Sequence, residues 1–99
     1  MKELSSSYGR VFIGPKEQCF RTAAFLAEGS RAQSPGKKHF TWALTGGSTP
    51  KEWFQWCVTK DALSPVTLAT THWFVSDERY VRPDSHESNF GNADRLLLK

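Results

Sequence analysis

The chain has 99 residues and is therefore at most one small domain. Hydrophobic residues make up 38% of it and charged residues 23%, a composition that excludes a disordered chain. The formal net charge of +3 comes from scattered basic residues, of which only Lys37 and Lys38 are adjacent. This pattern does not predict a nucleic-acid-binding surface, so no nucleic-acid partner is expected.

The chain also lacks the signals of membrane and secreted proteins. Its first seven residues contain no apolar signal core, and no stretch approaches the length of a membrane span. Cys19 and Cys57 lie far apart in apolar helical patterns, without a Cys-x-x-Cys pair or a Cys/His cluster. We therefore expect a soluble, cytoplasmic protein with free thiols, no metal and no membrane partner.

The first third of the chain is predicted to form one strand and one helix. Residues 1–9 are polar and expected to fray, and residues 10–13 form a short strand. Apolar residues three or four apart then predict a helix over 16–28, with Gly29 as its C-terminal stop. A polar, turn-rich loop is expected at 30–38.

The stretch 39–54 is predicted to form a strand, a glycine turn and the start of a helix. Its apolar, aromatic-rich run stops at the paired glycines 46–47. Thr49 fits a helix N-cap and Pro50 the first helical position, and Glu52, three residues after the cap, completes a capping box. This arrangement places the turn at the end of a buried strand and directly before a helix.

Such a turn suits an anion, above all a phosphate. Free backbone N–H groups and the hydroxyls of Ser48 and Thr49 would point at one spot, where the helix dipole also favours negative charge. Glycine turns before helices are also common punctuation without a ligand, and that interpretation stays open. The spacing of Gly46 and Gly47 matches neither a Walker loop nor a dinucleotide fingerprint.

The remainder of the chain is predicted to contain a second buried strand and a last helix. Residues 61–70 are expected to form a connector and an irregular segment, and residues 71–76 a strand. A loop at 80–87 follows, and Ser88 or Asn89 would cap the final helix.

Strands and helices alternate along the whole chain. This order predicts an α/β fold with a three-layer, Rossmann-like parallel sheet and crossover helices. Gly46 and Asp77 would then both emerge at the carboxyl ends of parallel strands, the edge where open α/β sheets bind ligands.

A charged cluster, Asp77, Glu78 and Arg79, directly follows the second buried strand. It fits a solvated strand end in which Asp77 pairs with Arg79, an arrangement of little energetic weight. It also fits a ligand site, because arginine offers a planar fork of donors and aspartate can bind hydroxyls or move a proton. The sequence pattern alone leaves both interpretations open.

Three ordered motifs together resemble the 6-phosphogluconolactonase family, which is grouped with the glucosamine-6-phosphate deaminases. They are Leu-Thr-Gly-Gly-Ser-Thr-Pro at 44–50, Ser-Asp-Glu-Arg-Tyr-Val at 76–81, and Ser-Asn at 88–89 before a leucine-ending helix. The deaminase branch typically carries Asp-Glu-Tyr where this chain has Asp-Glu-Arg, so Arg79 favours the lactonase branch. One departure is Arg82, where the family more often has a proline.

The resemblance implies hydrolysis of 6-phospho-D-glucono-1,5-lactone to 6-phospho-D-gluconate, in the oxidative pentose phosphate pathway, without cofactor or metal. The partner would be a small-molecule sugar phosphate. The resemblance also implies which residues form the site: Gly46, Gly47, Ser48 and Thr49 would hold the phosphate, and Asp77 and Arg79 would line the lactone pocket.

The same resemblance implies that the general base lies outside this sequence. In the family it is a histidine of an Asp-Gly-His motif in the second half of the domain, and His39, His72 and His86 all lack that context. Residues 1–99 are therefore expected to be the N-terminal portion of a larger single domain. We expect this portion to be inactive alone, with the base beyond Lys99 and the missing C-terminal half as its partner.

A chain of this kind would expose aromatic side chains, and Trp53, Trp56 and Trp73 are expected to be among them. Two alternative functions remain. One is a glucosamine-6-phosphate deaminase or isomerase, in which Asp77 would be the base. The other is a sugar-phosphate-binding protein without catalytic activity.

Overall fold

The computed structural model describes residues 1–33 and 40–99; most of the predicted loop at 30–38, together with His39, therefore lies outside the described residues. The elements in chain order are β1 (Lys2–Ser6), β2 (Gly9–Ile13), α1 (Lys16–Ala32), β3 (Phe40–Leu44), α2 (Ser48–Lys60), α3 (Pro65–Thr70), β4 (Thr71–Val75), α4 (Asn89–Ala93) and a π-helical turn (Asp94–Leu98). None of the described helices is both long and apolar enough to cross a membrane.

The first two strands form an antiparallel hairpin. Lys2 is opposite Ile13, and Ser6 is opposite Gly9, which has a φ of 141° at the turn. Arg10 donates two hydrogen bonds to the carboxylate of Glu3, at 3.0 and 2.9 Å. The expectation that residues 1–9 fray was wrong, because this polar segment has a strand partner immediately after it in the chain.

The first helix continues through Gly29, so the predicted stop was wrong. Gly29 does not have the positive φ of a terminating glycine. The residues beside it anchor the last turns of α1 to α3: the Glu28 carboxylate accepts a 2.6 Å hydrogen bond from the Ser64 N–H, and Arg31 Nε donates to Thr70 Oγ1 at 2.9 Å. Tertiary contacts therefore extend the helix past its weakest residue.

The segment 66–70, predicted to be irregular, is part of the short helix α3. Ser64 caps this helix by accepting a hydrogen bond from the Thr67 N–H, and Pro65 occupies the first helical position. A serine followed by proline was a helix-start signal that the sequence interpretation did not use.

The start of α2 also differs from the prediction. Its N-cap is Gly47, with a φ of 117°, and no side chain caps the helix. The capping box of Thr49 and Glu52 was therefore wrong, and Glu52 instead pairs with Lys16 at 2.8 Å. Pro50 still lies in the first turn, where its missing N–H breaks no helical hydrogen bond.

The second sheet positions the functional residues. β3 and β4 pair in parallel from Phe40 opposite Thr71 to Leu44 opposite Val75. The strand β2 pairs only with β1, so the described residues contain two separate two-stranded sheets. The fold is thus mixed α/β, with the turn after β3 and the charged cluster after β4 at one edge, as predicted.

The core lies between this sheet and the helices, and it is rich in aromatic residues. Trp42 stacks on Trp73 with ring centroids 5.3 Å apart and meets Trp53 at 5.7 Å. Trp53 is buried and donates to the Phe20 carbonyl at 3.1 Å, whereas Trp56 and Trp73 are half-buried. The expectation that these three tryptophans are exposed was therefore wrong; the aromatic side chains that do face solvent include Phe25 and Phe74.

Both cysteines are free, as predicted. Cys57 is buried in this core, and burial raises the pKa of its thiol to about 12.

One carboxylate fixes the long connection between β4 and α4. Ser88 is the N-cap of α4, one of the two predicted candidates. The Glu78 carboxylate accepts hydrogen bonds from Ser88 Oγ at 2.9 Å and from the N–H groups of Arg79, Asn89 and Phe90 at 2.7, 2.7 and 3.0 Å. These donors, the Phe90 N–H foremost, lower the pKa of Glu78 to about 2.

We predict that Glu78→Gln lowers the melting temperature at neutral pH and flattens its acid dependence. Because the folded-state pKa lies below the ordinary value of 4.5, the ionised group stabilises the fold above about pH 4.5, and this contribution disappears as the pH falls towards 2. Thermal unfolding followed by circular dichroism at several pH values tests this. Glu87→Gln removes the same charge from the same connection and serves as the control; equal behaviour of the two variants would contradict the prediction.

Candidate functional site

An open cleft of about 380 Å³ lies at the edge where β3 and β4 end. Its walls come from the glycine turn, the first turn of α2, the connection after β4, and α4. Eight residues line it: Gly47, Ser48, Lys51, Arg79, His86, Glu87, Asn89 and Asn92.

The glycine turn presents the N-terminus of α2 to this cleft. The first intrahelical bond runs from the Lys51 N–H to the Gly47 carbonyl at 3.3 Å, so the N–H groups of Ser48 and Thr49 have no partner within the helix. The first turn contains no acidic residue and no side-chain cap. Free donors and the helix dipole therefore make this end of the cleft favourable for an anion.

Basic side chains add to the positive character of the cleft. Arg79 also lines the cleft, and its backbone N–H donates a hydrogen bond to Glu78. Within residues 1–33 and 40–99, no carboxylate pairs with the guanidinium of Arg79 or the ammonium of Lys51. The interpretation of the charged cluster as an Asp77–Arg79 ion pair was therefore wrong, and both cations are available to a ligand.

Three of the residues predicted for the site do not line the cleft. Thr49 lies in the adjacent apolar groove between α1 and α2. Gly46 packs against Asn89, and the Asp77 carboxylate lies 3.4 Å from the Ser76 hydroxyl. Gly47, Ser48 and Arg79 are the predicted residues that the fold brings together.

The sequence interpretation missed five lining residues. Helical spacing was the signal that could have found two of them, because Lys51 lies one turn after Ser48 and Asn92 one turn after Asn89. Asn89 itself was considered only as a helix cap. The other two, His86 and Glu87, belong to an irregular connection, and no periodic pattern marks them. His86 lines the cleft, and its carbonyl accepts a 2.9 Å hydrogen bond from Asn92.

The described part of the chain brings no three His, Cys, Asp or Glu side chains together as a metal site. The side chains that line the cleft include two cations and two amides together with His86 and the carboxylate of Glu87, and the start of α2 adds backbone donors.

Two solved structures resemble this fold. The crystal structure of devB protein shares 33% sequence identity with a TM-score of 0.65, and the match covers 86% of this chain and 35% of that one. The 6-phosphogluconolactonase from Trypanosoma cruzi shares 26% identity with a TM-score of 0.73, covering 89% of this chain and 34% of that one. This chain therefore spans about a third of the length of these solved structures.

Curated relatives agree with this likeness. The 6-phosphogluconolactonases of Aggregatibacter actinomycetemcomitans and Haemophilus influenzae are each 34% identical over 56 residues, which is 57% of this chain and 24% of each relative. The family described as glucosamine-6-phosphate isomerases/6-phosphogluconolactonase matches residues 15–99. Since this match runs over most of the sequence, the chain belongs to the family of glucosamine-6-phosphate isomerases and 6-phosphogluconolactonases.

Proposed function

We propose that this chain forms the phosphate-binding side of a 6-phosphogluconolactonase site. The observation that carries the proposal is the meeting of the uncapped N-terminus of α2 with Lys51 and Arg79 in one cleft. Backbone N–H groups at a helix start bind phosphate oxygens, and the Lys51 ammonium in the same first turn would neutralise the phosphate charge, which leaves Arg79 for the lactone. Of the predicted phosphate-binding residues, Gly47 and Ser48 would act directly, Thr49 through its backbone N–H, and Gly46 by forming the turn.

The reaction would be hydrolysis of 6-phospho-D-glucono-1,5-lactone. Water attacks the lactone carbonyl carbon and gives a proton to the general base, and the carbonyl oxygen gains negative charge. The ring C–O bond then breaks, the ring oxygen takes that proton, and the new carboxylic acid ionises to give 6-phospho-D-gluconate. Arg79 is the group in the cleft suited to stabilise developing negative charge, and Asp77 is proposed to act at the sugar hydroxyls. Glu78 is unsuited to accept the proton of water, because its four donors hold its pKa at about 2.

The general base would come from a larger domain of which residues 1–99 are the N-terminal portion. The relatives in the solved structures are about three times as long as the aligned part of this chain, which supports this proposal. A parallel sheet is ordinarily larger than two strands and is covered on both faces. The pairing of β3 with β4 would then form part of a three-layer, Rossmann-like parallel sheet completed by the C-terminal half as partner. A cytoplasmic location in the oxidative pentose phosphate pathway would follow from this activity.

We predict that Gly47→Val abolishes binding of 6-phosphogluconate and leaves the fold largely intact. The φ of 117° at Gly47 is strained for a branched residue, so the turn that aims the helix N–H groups would rearrange. Isothermal titration calorimetry measures the loss. Gly9→Val is the matched control, because Gly9 also has a positive φ of 141° but lies in the distant hairpin. Unchanged affinity in Gly47→Val would exclude the turn as the phosphate site.

In the complete enzyme, Arg79→Lys is predicted to lower kcat by more than it raises KM. The planar fork of arginine can follow charge that develops in the transition state, and a lysine ammonium cannot reproduce that geometry. Asp77→Asn should reduce the rate less than loss of the base would. Arg82→Lys is the control, because Arg82 is on the same connection but pairs with Asp84 at 3.1 Å. Altered thermal stability without altered kinetics would contradict a role of Arg79 in the reaction.

Residues 1–99 alone are predicted to hydrolyse the lactone no faster than the spontaneous reaction. A positioned base commonly contributes about 10²–10⁴-fold, and no base of the family's kind occurs in this sequence. The short chain of residues 1–99 is compared with a long chain extended to the natural stop codon. Both are assayed with the lactone and with glucosamine 6-phosphate. Turnover by the short chain would assign the base to one of its own histidines. Deamination by the long one would establish the isomerase alternative, and binding without turnover by the long one would establish the non-catalytic alternative.

A further inference from the structure

We propose that Asn89 is a positioning residue that sets the separation between the glycine turn after β3 and the charged segment after β4. For its effect on ligand binding, this inference rests on the proposed function. Asn89 is the first residue of α4, and its side chain reaches the ends of both parallel strands.

The first contact is with Gly46. A methyl group built on Gly46 would lie 2.0 Å from Asn89 Oδ1, 2.3 Å from Cγ and 2.6 Å from Nδ2. These are the three nearest atoms, so Asn89 is what fills the space beside Gly46. Among the described residues the glycines with positive φ are Gly9 and Gly47, and Gly46 is not one of them. Position 46 therefore requires glycine because the Asn89 amide lies against it, and the backbone conformation there does not demand it.

Two hydrogen bonds join Asn89 to the other strand end. Its Nδ2 donates to the Asp77 carbonyl at 3.1 Å, and its backbone N–H donates to Glu78 Oε1 at 2.7 Å. One residue therefore contacts the turn after β3 and the segment after β4 at the same time.

These contacts of Asn89 lie just beyond the point where backbone pairing of β3 with β4 ends. In the described part of the chain, the backbone pairing of β3 with β4 ends with the Ser76 N–H donating to the Leu44 carbonyl at 2.8 Å. Beyond that bond the glycine turn and the segment 77–79 are linked through Asn89. Gly47 follows Gly46 directly, and Arg79 follows Asp77 by two residues, so Asn89 sets how far the free N–H groups of α2 lie from the guanidinium.

Asn89 also lines the cleft, so a direct contact with a ligand must be distinguished from positioning. The clash between a methyl group at position 46 and the Asn89 side chain distinguishes positioning from ligand contact. If Asn89 acts by packing on Gly46, then Gly46→Ala is damaging only while the Asn89 side chain is present. If Asn89 only contacts the ligand, the effects of changing the two residues are additive.

The experiment is a double-mutant cycle of Gly46→Ala and Asn89→Ala, titrated with 6-phosphogluconate and with inorganic phosphate. Gly46→Ala is expected to weaken binding about tenfold with Asn89 present and less than about twofold in the Asn89→Ala background. Asn89→Asp keeps a side chain of the same size beside position 46, so the penalty of Gly46→Ala should persist there. Gly29→Ala is the control, since nothing lies within 4 Å of a methyl group at Gly29 and that position is remote from the cleft.

Hydrogen exchange of the Ser76 amide gives a readout that needs no ligand. Gly46→Ala should speed this exchange with Asn89 present and have little further effect in the Asn89→Ala background, with the amides at the centre of β4 as reference. If the unaltered chain binds neither compound but the exchange shows this coupling, the proposed function fails and the positioning role stands. If the chain binds and both the affinities and the exchange are additive, the proposed function stands and the positioning role is overturned.

Discussion

The parallel register of β3 and β4 sets the position of everything in the cleft. Leu44 is opposite Val75, so both strands finish at the same level, and the turn after one faces the charged segment after the other. Parallel strands bring such ends together only through a crossover connection, here α2 and α3. Trp42 of β3 and Trp73 of β4 are opposite each other, and their half-buried rings stack, so the aromatic core stabilises the same strand pair that positions the site.

The position of Arg79 also depends on a fixed path for the long connection after β4. A connection that joins β4 to α4 without regular structure would otherwise place Arg79 in many positions. The Glu78 carboxylate fixes the path, because it accepts one hydrogen bond from the Arg79 N–H and three from donors at the start of α4. The middle residue of the charged triplet is thus structural, and its neighbour Arg79 is left free for a ligand. Charge pattern alone cannot distinguish these two roles, since both belong to exposed ionisable side chains.

The sequence predicted most elements that depend on local chemistry, although it missed the strand β1 and the start of α3, and it was wrong where tertiary contacts decide. Both buried strands, the glycine turn and the Ser88 cap follow from apolar runs and local turn and cap preferences. Gly29 was assigned as a stop because glycine is a poor helix former, yet contacts of Glu28 and Arg31 with α3 outweigh that preference. His86 and Glu87 reach the cleft from an irregular connection, which no local pattern reveals.

The proposed function would separate binding from chemistry in this chain. The proposed phosphate site would need a helix N-terminus and nearby cations, and one turn, one helix and one connection bring such groups together within residues 47–79. Activating water requires a base whose pKa is matched to neutral pH, and the one carboxylate at this edge that four donors surround has a pKa of about 2. The donors that make Glu78 a firm anchor are the same ones that remove it as a base.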